Sequence, residues 1–349
     1  IEASDRWAEH IRRAVTDHLL QNGDSDKEIC VCTDLTTHII SSNTTSVRNL
    51  LSPYIRKNAT VIRKWGIEAH PEIENEQGLS ESDKLCALCT AYMKAHPEAQ
   101  REQDDFDASC IKTLRHTELT GIQVELIDID SLYEAYAEHD IKADSYLAPF
   151  IGKGDSGPKR RRLLVNIDYA FGKQAEQLIS SLCLLFGESI ASVGVMGKAG
   201  GLVGKRGDIV VADYLIHQDD DEMTLVNNNG VDRDALAAMS RRKVWSGGVL
   251  TVFGTLLQDN RILQYYKKLA GCVSLEMEGS YYAREVLGFK KAKLLAEETQ
   301  MRFLYYFSDT PLSSDPSETL SKDLAISEVI PPQYAVTREL LRLVLVDKK

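Results

Sequence analysis

The sequence lacks any apolar run long enough to cross a bilayer, which argues against a helical membrane span. It is also short of positive charge. Its 41 Lys and Arg face 52 Asp and Glu, for a net charge of −11. Nucleic-acid binding through the surface as a whole needs a positive field, so that class is excluded and only a local basic patch remains open. Internal repeats and low-complexity tracts are missing too. The seven cysteines are odd in number and form no compact framework. Free thiols in a reducing, cytoplasmic compartment are the expectation. Cys86-Ala-Leu-Cys89 has redox or metal spacing, but no second pair follows it. Its surroundings have helical periodicity, so buried helix cysteines are expected there, and Cys30 and Cys32 read as strand residues. No metal site and no organic cofactor is expected. No signal peptide is visible, and because Ile1 rather than Met opens the sequence, the natural N-terminus is expected to be missing.

The 349 residues suffice for one large or two modest domains. Helices are expected over 1–22, 81–95 and 106–116, with mixed helix over 45–65, a polar acidic loop at 70–78 and an exposed charged stretch at 97–105. Strands are expected at 28–34 and 122–129, and a helix at 131–139. Gly152-Lys-Gly-Asp-Ser-Gly-Pro158 is punctuated as a linker. The expected division is an α-rich N-terminal domain of unassigned role (1–151), a linker (152–162) and an α/β domain (163–349). Lys159-Arg-Arg-Arg162 reads as a solvated strand entrance, with a phosphate clamp as the alternative.

In the second half, strands at 163–167 and 191–196 flank an amphipathic helix at 173–186, a unit that implies parallel pairing and a right-handed crossover. Further strands are expected at 209–213, 248–253, 272–276 and 302–307, and a closing helix at 332–346. The fold class is therefore α/β, with a mixed, largely parallel central sheet flanked by helices and preceded by the α-rich α/β unit. Ligands of such sheets bind beyond the carboxyl ends of the strands. Gly197-Lys-Ala-Gly-Gly201 reads as a small-residue loop at such an end. Its glycines would let backbone N–H groups approach an anion or a sugar oxygen, and Lys198 adds a cation.

Two later stretches give this loop its weight, Glu276-Met-Glu-Gly279 and Ser308-Asp-Thr-Pro-Leu312. A carboxylate at a buried strand end, Asp309, can act as an acid when burial raises its pKa, with Ser308 to orient it. An ionised Glu278 can accept two sugar hydroxyls, with Met277 against the sugar's apolar face. Glu276 either lines the site or pairs structurally. Tyr305, Tyr306 and Phe307 alternate along a strand, so only part of the set can face a ligand. The bland alternatives are a turn carboxylate at Asp309 and a helix N-terminal carboxylate at Glu278.

Together these segments resemble the nucleoside phosphorylase and nucleosidase superfamily over residues 163–346. Asn166-Ile-Asp-Tyr-Ala-Phe-Gly-Lys-Gln-Ala175, the Gly197–Leu202 stretch with Gly207-Asp-Ile-Val-Val211, Glu276–Gly279 and Ser308-Asp309 stand in that superfamily's order. The last is also similar to the corresponding segment of AMP nucleosidases, which carry an extra N-terminal domain. The resemblance implies cleavage of the N-glycosidic bond of a purine nucleoside or nucleotide, by hydrolysis or phosphorolysis. Asp309 and Ser308 would be catalytic. Gly197, Lys198, Ala199, Gly200, Thr255, Glu276, Met277, Glu278 and Phe307 would bind substrate. A phosphorolytic reaction would take phosphate as a partner, with Lys173, Lys198, Lys205 and Arg206 as candidate cations. The resemblance further implies a homo-oligomer. The N-terminal strand that supplies a water-positioning carboxylate in the superfamily's nucleosidases is not identifiable. Two alternatives follow: a repurposed enzyme acting on another nucleoside-like or phosphorylated metabolite, or a non-catalytic nucleotide sensor.

Overall fold

The computed structural model describes residues 2–19, 35–115, 120–152, 161–254, 259–322 and 324–346. The strand expected at 28–34, most of the linker and Thr255 lie outside the described residues. The chain opens with α1 (Glu2–Leu19), whose Trp7, Ile11 and Val15 recur at four-residue spacing and enter the main core. Strand β1 (Leu35–Ser41) follows. All seven of its residues are buried, without the alternation of a half-exposed strand, because both of its faces are covered. Six helices come next: α2 (Thr44–Leu51), α3 (Pro53–Lys57), α4 (Ala59–Ala69), α5 (Pro71–Glu74), α6 (Glu81–Ala95) and α7 (Pro97–Phe106). A capping box starts α6: Ser80 Oγ accepts from the Asp83 N–H, and Asp83 accepts from the Ser80 N–H.

The hairpin of β2 (Ile111–Leu114) and β3 (Val124–Asp128) leads to α8 (Ile129–Glu138), β4 (Arg161–Ile167) and α9 (Lys173–Phe186). Then come β5 (Ile190–Gly201), β6 (Ile209–His217), β7 (Met223–Leu225), α10 (Arg233–Ser240), β8 (Val244–Thr251), α11 (Asn260–Lys268), β9 (Cys272–Glu276), α12 (Gly279–Lys291), β10 (Gln300–Asp309) and α13 (Ile326–Val346). The class is α/β, as expected.

One mixed sheet has the order β10-β6-β8-β9-β5-β1-β4-β3-β2, with β7 on β6. Strand β10 also pairs with β5, in parallel, and β9 meets the end of β5 antiparallel. Five strands, β5, β10, β6, β8 and β9, thus close a circuit, and β5 belongs both to it and to the open part of the sheet.

The sheet also runs across the expected domain boundary. Strand β1 lies between β4 and β5, parallel to both, and β2 and β3 extend the same sheet. What stands apart is narrower than residues 1–151. It is the helical insert between β1 and β2, with its own cluster of Tyr54, Ile55, Ile62, Ile73, Leu85 and Leu88, onto which Ile326 and Ile330 of α13 pack. That packing explains why α13 begins before Pro332, which the sequence suggests as its start, and carries both Pro331 and Pro332 inside it.

The charged stretch at 97–105 is largely exposed as expected but helical, and the helix expected after it fails. Residues 97–105 form α7, with Pro97 suited to a first helical turn. Residues 106–116 hold the end of α7 and the short strand β2, not a helix. Cys86 and Cys89 are buried free thiols on α6, and burial pushes Cys86 up to about 11.

Candidate active site

Residues 197–201 are not a loop. They are the last part of β5, paired with β10 on one side and, at Gly200 and Gly201, with β9 on the other. The glycines there serve close approach rather than turning. A Cβ at Gly197 would lie 2.9 Å from Glu278 Oε1, and one at Gly200 would lie 3.2 Å from Asp309 Oδ2. A side chain at either position would occupy space that a carboxylate now fills. The β9–α12 turn and the end of β10 therefore bring Glu278 and Asp309 against positions three residues apart on β5.

Glu278 lies in the β9–α12 turn and is 4% exposed. Its neighbour Glu276, at the end of β9, is held by three donors. Thr251 Oγ1 donates to Oε1 at 2.5 Å, and the N–H groups of Glu278 and Gly279 donate to Oε2 at 2.7 and 2.6 Å. The Glu278 carboxylate accepts from the Met277 N–H at 3.2 Å. Burial, then the charge of Glu276, pushes Glu278 well above the ordinary carboxylate value. Glu276 is therefore the fixed member of the pair and Glu278 the one with acceptor capacity to spare. The buried Tyr305 hydroxyl sits beside both, packed so closely on Gly279 that a Cβ there would be 2.5 Å from it.

Asp309 ends β10, opposite Gly200 in register. Ser308 Oγ donates to Asp309 Oδ1 at 2.7 Å. Burial raises the Asp309 carboxyl, while Ser308, Arg206 and Lys198 partly offset the rise.

The other expected residues divide. Lys198 is exposed on β5, and Met277 is half-buried. Met277 lines a cavity of ≈ 440 Å³ together with Phe171, Lys173, His217, Phe253 and Tyr281. Ala199 and Phe307 belong to the main core, and Phe307 packs on Gly201, whose Cβ would come within 2.6 Å of its ring. Strand alternation puts Phe307 on the same face as Tyr305, two residues earlier, with its ring over Gly201 rather than over Gly197. Among the candidate phosphate cations, Arg206 is buried. It donates to Glu328 at 2.8 Å and to the Ser317 carbonyl at 3.1 Å, which ties the turn before β6 to the segment after β10. Asp208 fixes the same turn, accepting from the Lys205 N–H and from Trp245 Nε1. Arg162 pairs with Asp130 and lies over the Tyr133 ring.

Sequence reasoning passed over Thr251 and Tyr169, and weighed Tyr305 only as one of three alternating aromatics. The Tyr169 ring lies 3.6 Å from the point a Gly197 Cβ would occupy, and its hydroxyl interacts with the backbone of Asn43 just past β1. Tyr169 stands inside the Asn166–Ala175 segment that carries part of the resemblance, and that placement was the one available signal.

A protein-family profile described as "Family of unknown function (DUF6909)" matches residues 1–346. The chain belongs to that family. The match spans both halves, as the sheet does. No curated protein matches the chain. Solved structures similar to it include a 5′-methylthioadenosine/S-adenosylhomocysteine nucleosidase from Colwellia psychrerythraea, in complex with adenine. It is 17% identical, with 67% of this chain and 86% of that one covered and a TM-score of 0.43. The futalosine hydrolase of Helicobacter pylori is 12% identical, with 90% and 98% covered and a TM-score of 0.48. The methylthioadenosine/S-adenosylhomocysteine nucleosidase of Campylobacter jejuni is 10% identical, with 88% and 97% covered and a TM-score of 0.48.

Proposed function

We propose that the protein hydrolyses the N-glycosidic bond of a purine nucleoside or nucleotide. The observation that carries this reading is the buried Glu278 carboxyl set over Gly197 and the half-buried Asp309 carboxyl set over Gly200 of the same strand. Asp309, biased by burial toward its protonated form, donates a proton to the leaving base, and Ser308 holds its orientation. Glu278 accepts the sugar hydroxyls. Those donors stabilise its charged form, which burial and the charge of Glu276 disfavour. Met277 packs against the sugar, and Glu276 keeps the β9–α12 turn in shape through its three hydrogen bonds.

Water is the better supported nucleophile. Arg206 is committed to Glu328, which removes the guanidinium that a phosphate site would want. Strand β1 ends in Ser41-Ser-Asn-Thr-Thr45, with no carboxylate of its own. Asp168 reaches that strand end from β4. Its carboxyl accepts from the Tyr169 N–H at 2.9 Å and from the Thr44 backbone, and burial raises it. Asp168 positions the attacking water in this reading. The same bare end of β1 favours the second reading, a nucleotide sensor that binds without turnover.

Base release from AMP, adenosine, inosine, guanosine and methylthioadenosine, each with and without phosphate, separates these. Release independent of phosphate and lost in Asp168→Asn supports hydrolysis. Release only with phosphate makes the protein a phosphorylase. Tight binding without release leaves the sensor.

A further inference from the structure

Tyr305 is fully buried in β10, and its hydroxyl makes no hydrogen bond among the described residues. Buried phenols usually find a partner, so an unused one needs a reason. Packing does not supply it, since Phe303 and Phe307 fill the same face of the strand without a hydroxyl. Tyr305 is the register partner of Gly197. Its ring carbon Cδ1 lies 3.7 Å from the point a Gly197 Cβ would occupy, and Glu278 Oε1 lies 2.9 Å from that same point. Its hydroxyl presses on the first turn of α12. A Cβ at Gly279 would be 2.5 Å from the hydroxyl and 3.1 Å from Glu276 Oε1. One side chain thus reaches from the neighbourhood of one carboxyl to that of the other.

The other donors around the pair are committed. Thr251 Oγ1 accepts from the Ser280 N–H at 2.9 Å and gives its proton to Glu276. The N–H groups of Glu278 and Gly279 take the second Glu276 oxygen. Tyr282, on α12, donates to Ser41 Oγ at 3.0 Å. Tyr169, from the β4–α9 connection, and Tyr281 and Tyr282, from α12, are the further titratable groups facing the pair, and burial raises each of them, so they stay neutral. Lys198 of β5 is exposed and acts on Asp309. No cation offsets the charge of Glu276 at Glu278, among the described residues. Burial and the two carboxyls also hold Tyr305 well above its ordinary value, so its hydroxyl remains a donor.

We propose that Tyr305 is a positioning residue for the sugar: when ribose hydroxyls donate to an ionised Glu278, the Tyr305 hydroxyl turns its unused proton onto the Glu276–Glu278 pair and lets the two adjacent carboxylates hold charge together. The proton that Glu278 gives up leaves to solvent, and Tyr305 keeps its own. The inference rests on the glycosidase reading for the placement of the sugar on Glu278.

The test is calorimetric binding, which needs no turnover, of adenosine and of 2′,3′-dideoxyadenosine, which lacks the hydroxyls that meet Glu278. The wild type is expected to favour adenosine. Tyr305→Phe keeps the ring and is expected to weaken adenosine about tenfold at pH 7, the worth of one hydrogen bond to a charged group, and to leave the dideoxy ligand unchanged. The rise of adenosine affinity with pH should move up by about one pH unit, because the charged form of Glu278 has lost a donor. Glu278→Gln removes the ionisation, so adding Tyr305→Phe to it should change adenosine binding no further. Equal affinities of the wild type for the two ligands would overturn the proposal. So would equal losses for both ligands in Tyr305→Phe with the pH profile in place, the mark of a purely structural tyrosine, or a further loss in the double variant. Base release from adenosine alongside any of these results would remove the Tyr305 assignment and leave the glycosidase. Hydroxyl selectivity that follows Tyr305 without base release would remove the glycosidase and leave a ribose-binding site.

Discussion

Where α13 meets the helical insert, Asp83 and Asp144 are buried against Arg338 at 2.7 and 3.2 Å, with Arg56 3.7 Å from Asp144. Where β9 meets α12, Glu276 and Glu278 are buried as deeply, but the hydrogen bonds they accept come from a hydroxyl and backbone N–H groups. In the first region each buried negative charge has a guanidinium. The charges offset one another within the protein and fasten the insert to α13. In the second, one carboxylate is satisfied and the next holds unused acceptor capacity. A buried charge is costly unless it is paired, so a site that leaves Glu278 short of partners is suited to a ligand that brings hydrogen-bond donors. Burial alone therefore does not mark function here, and the identity of the partners does.

The largest effect expected from this contrast is on stability. Arg338→Ala leaves Asp83 and Asp144 buried without their main cation and should cost about 3–5 kcal/mol, read from urea denaturation. A loss below about 1 kcal/mol would mean that the insert is held by its apolar contacts alone.

A pH effect of somewhat smaller size separates the arginine-paired carboxylates among themselves. Glu125 lies 3.8 Å from Arg48 and accepts from Asn166 Nδ2, yet burial pushes it up to about 7. Between its ordinary value of 4.5 and about 7, the folded chain keeps a proton that the unfolded chain has released. Stability from this group is therefore present below pH 4.5 and is lost as pH rises through 7, by an amount on the order of 3 kcal/mol. Glu125→Gln should flatten that part of the stability profile. An unchanged slope would place Glu125 with the fully compensated carboxylates.

The smallest effect tests the site's close packing. Gly197→Ala puts a methyl 2.9 Å from Glu278 Oε1 and forces that carboxylate to shift. The expected loss is about tenfold in kcat/KM, since sub-ångström displacement at a reacting centre is costly, with little change in denaturation midpoint. A large stability loss with normal kinetics would reverse the assignment of this glycine.

Much of this was legible before any coordinates. The periodicity of α6 and α9 marks both helices within a residue at each end, and Asp309 and Glu278 are singled out as candidates by the residues around them. Three features escaped for physical reasons. The place of β1 in the middle of the sheet rests on pairing with β4 and β5, more than a hundred residues away, which local pattern does not encode. Residues 197–201 look like a loop because glycine usually signals a turn, whereas here it signals that a neighbouring strand's carboxylate needs the space. The face shared by Tyr305 and Phe307 depends on strand register, and a one-residue slip would exchange them for Tyr306.

The most direct test of the account is release of free base in phosphate-free buffer by the wild type and by Asp309→Asn, with Arg338→Met as the structural counterpart. The account predicts that Asp309→Asn lowers the rate about 10²–10⁴-fold while its urea midpoint stays near that of the wild type. It predicts that Arg338→Met keeps most of its rate per folded molecule and loses stability. Base release that survives in Asp309→Asn, or is lost only in proportion to folded protein in both variants, would contradict the claim that the sparsely partnered carboxylates form the reacting centre.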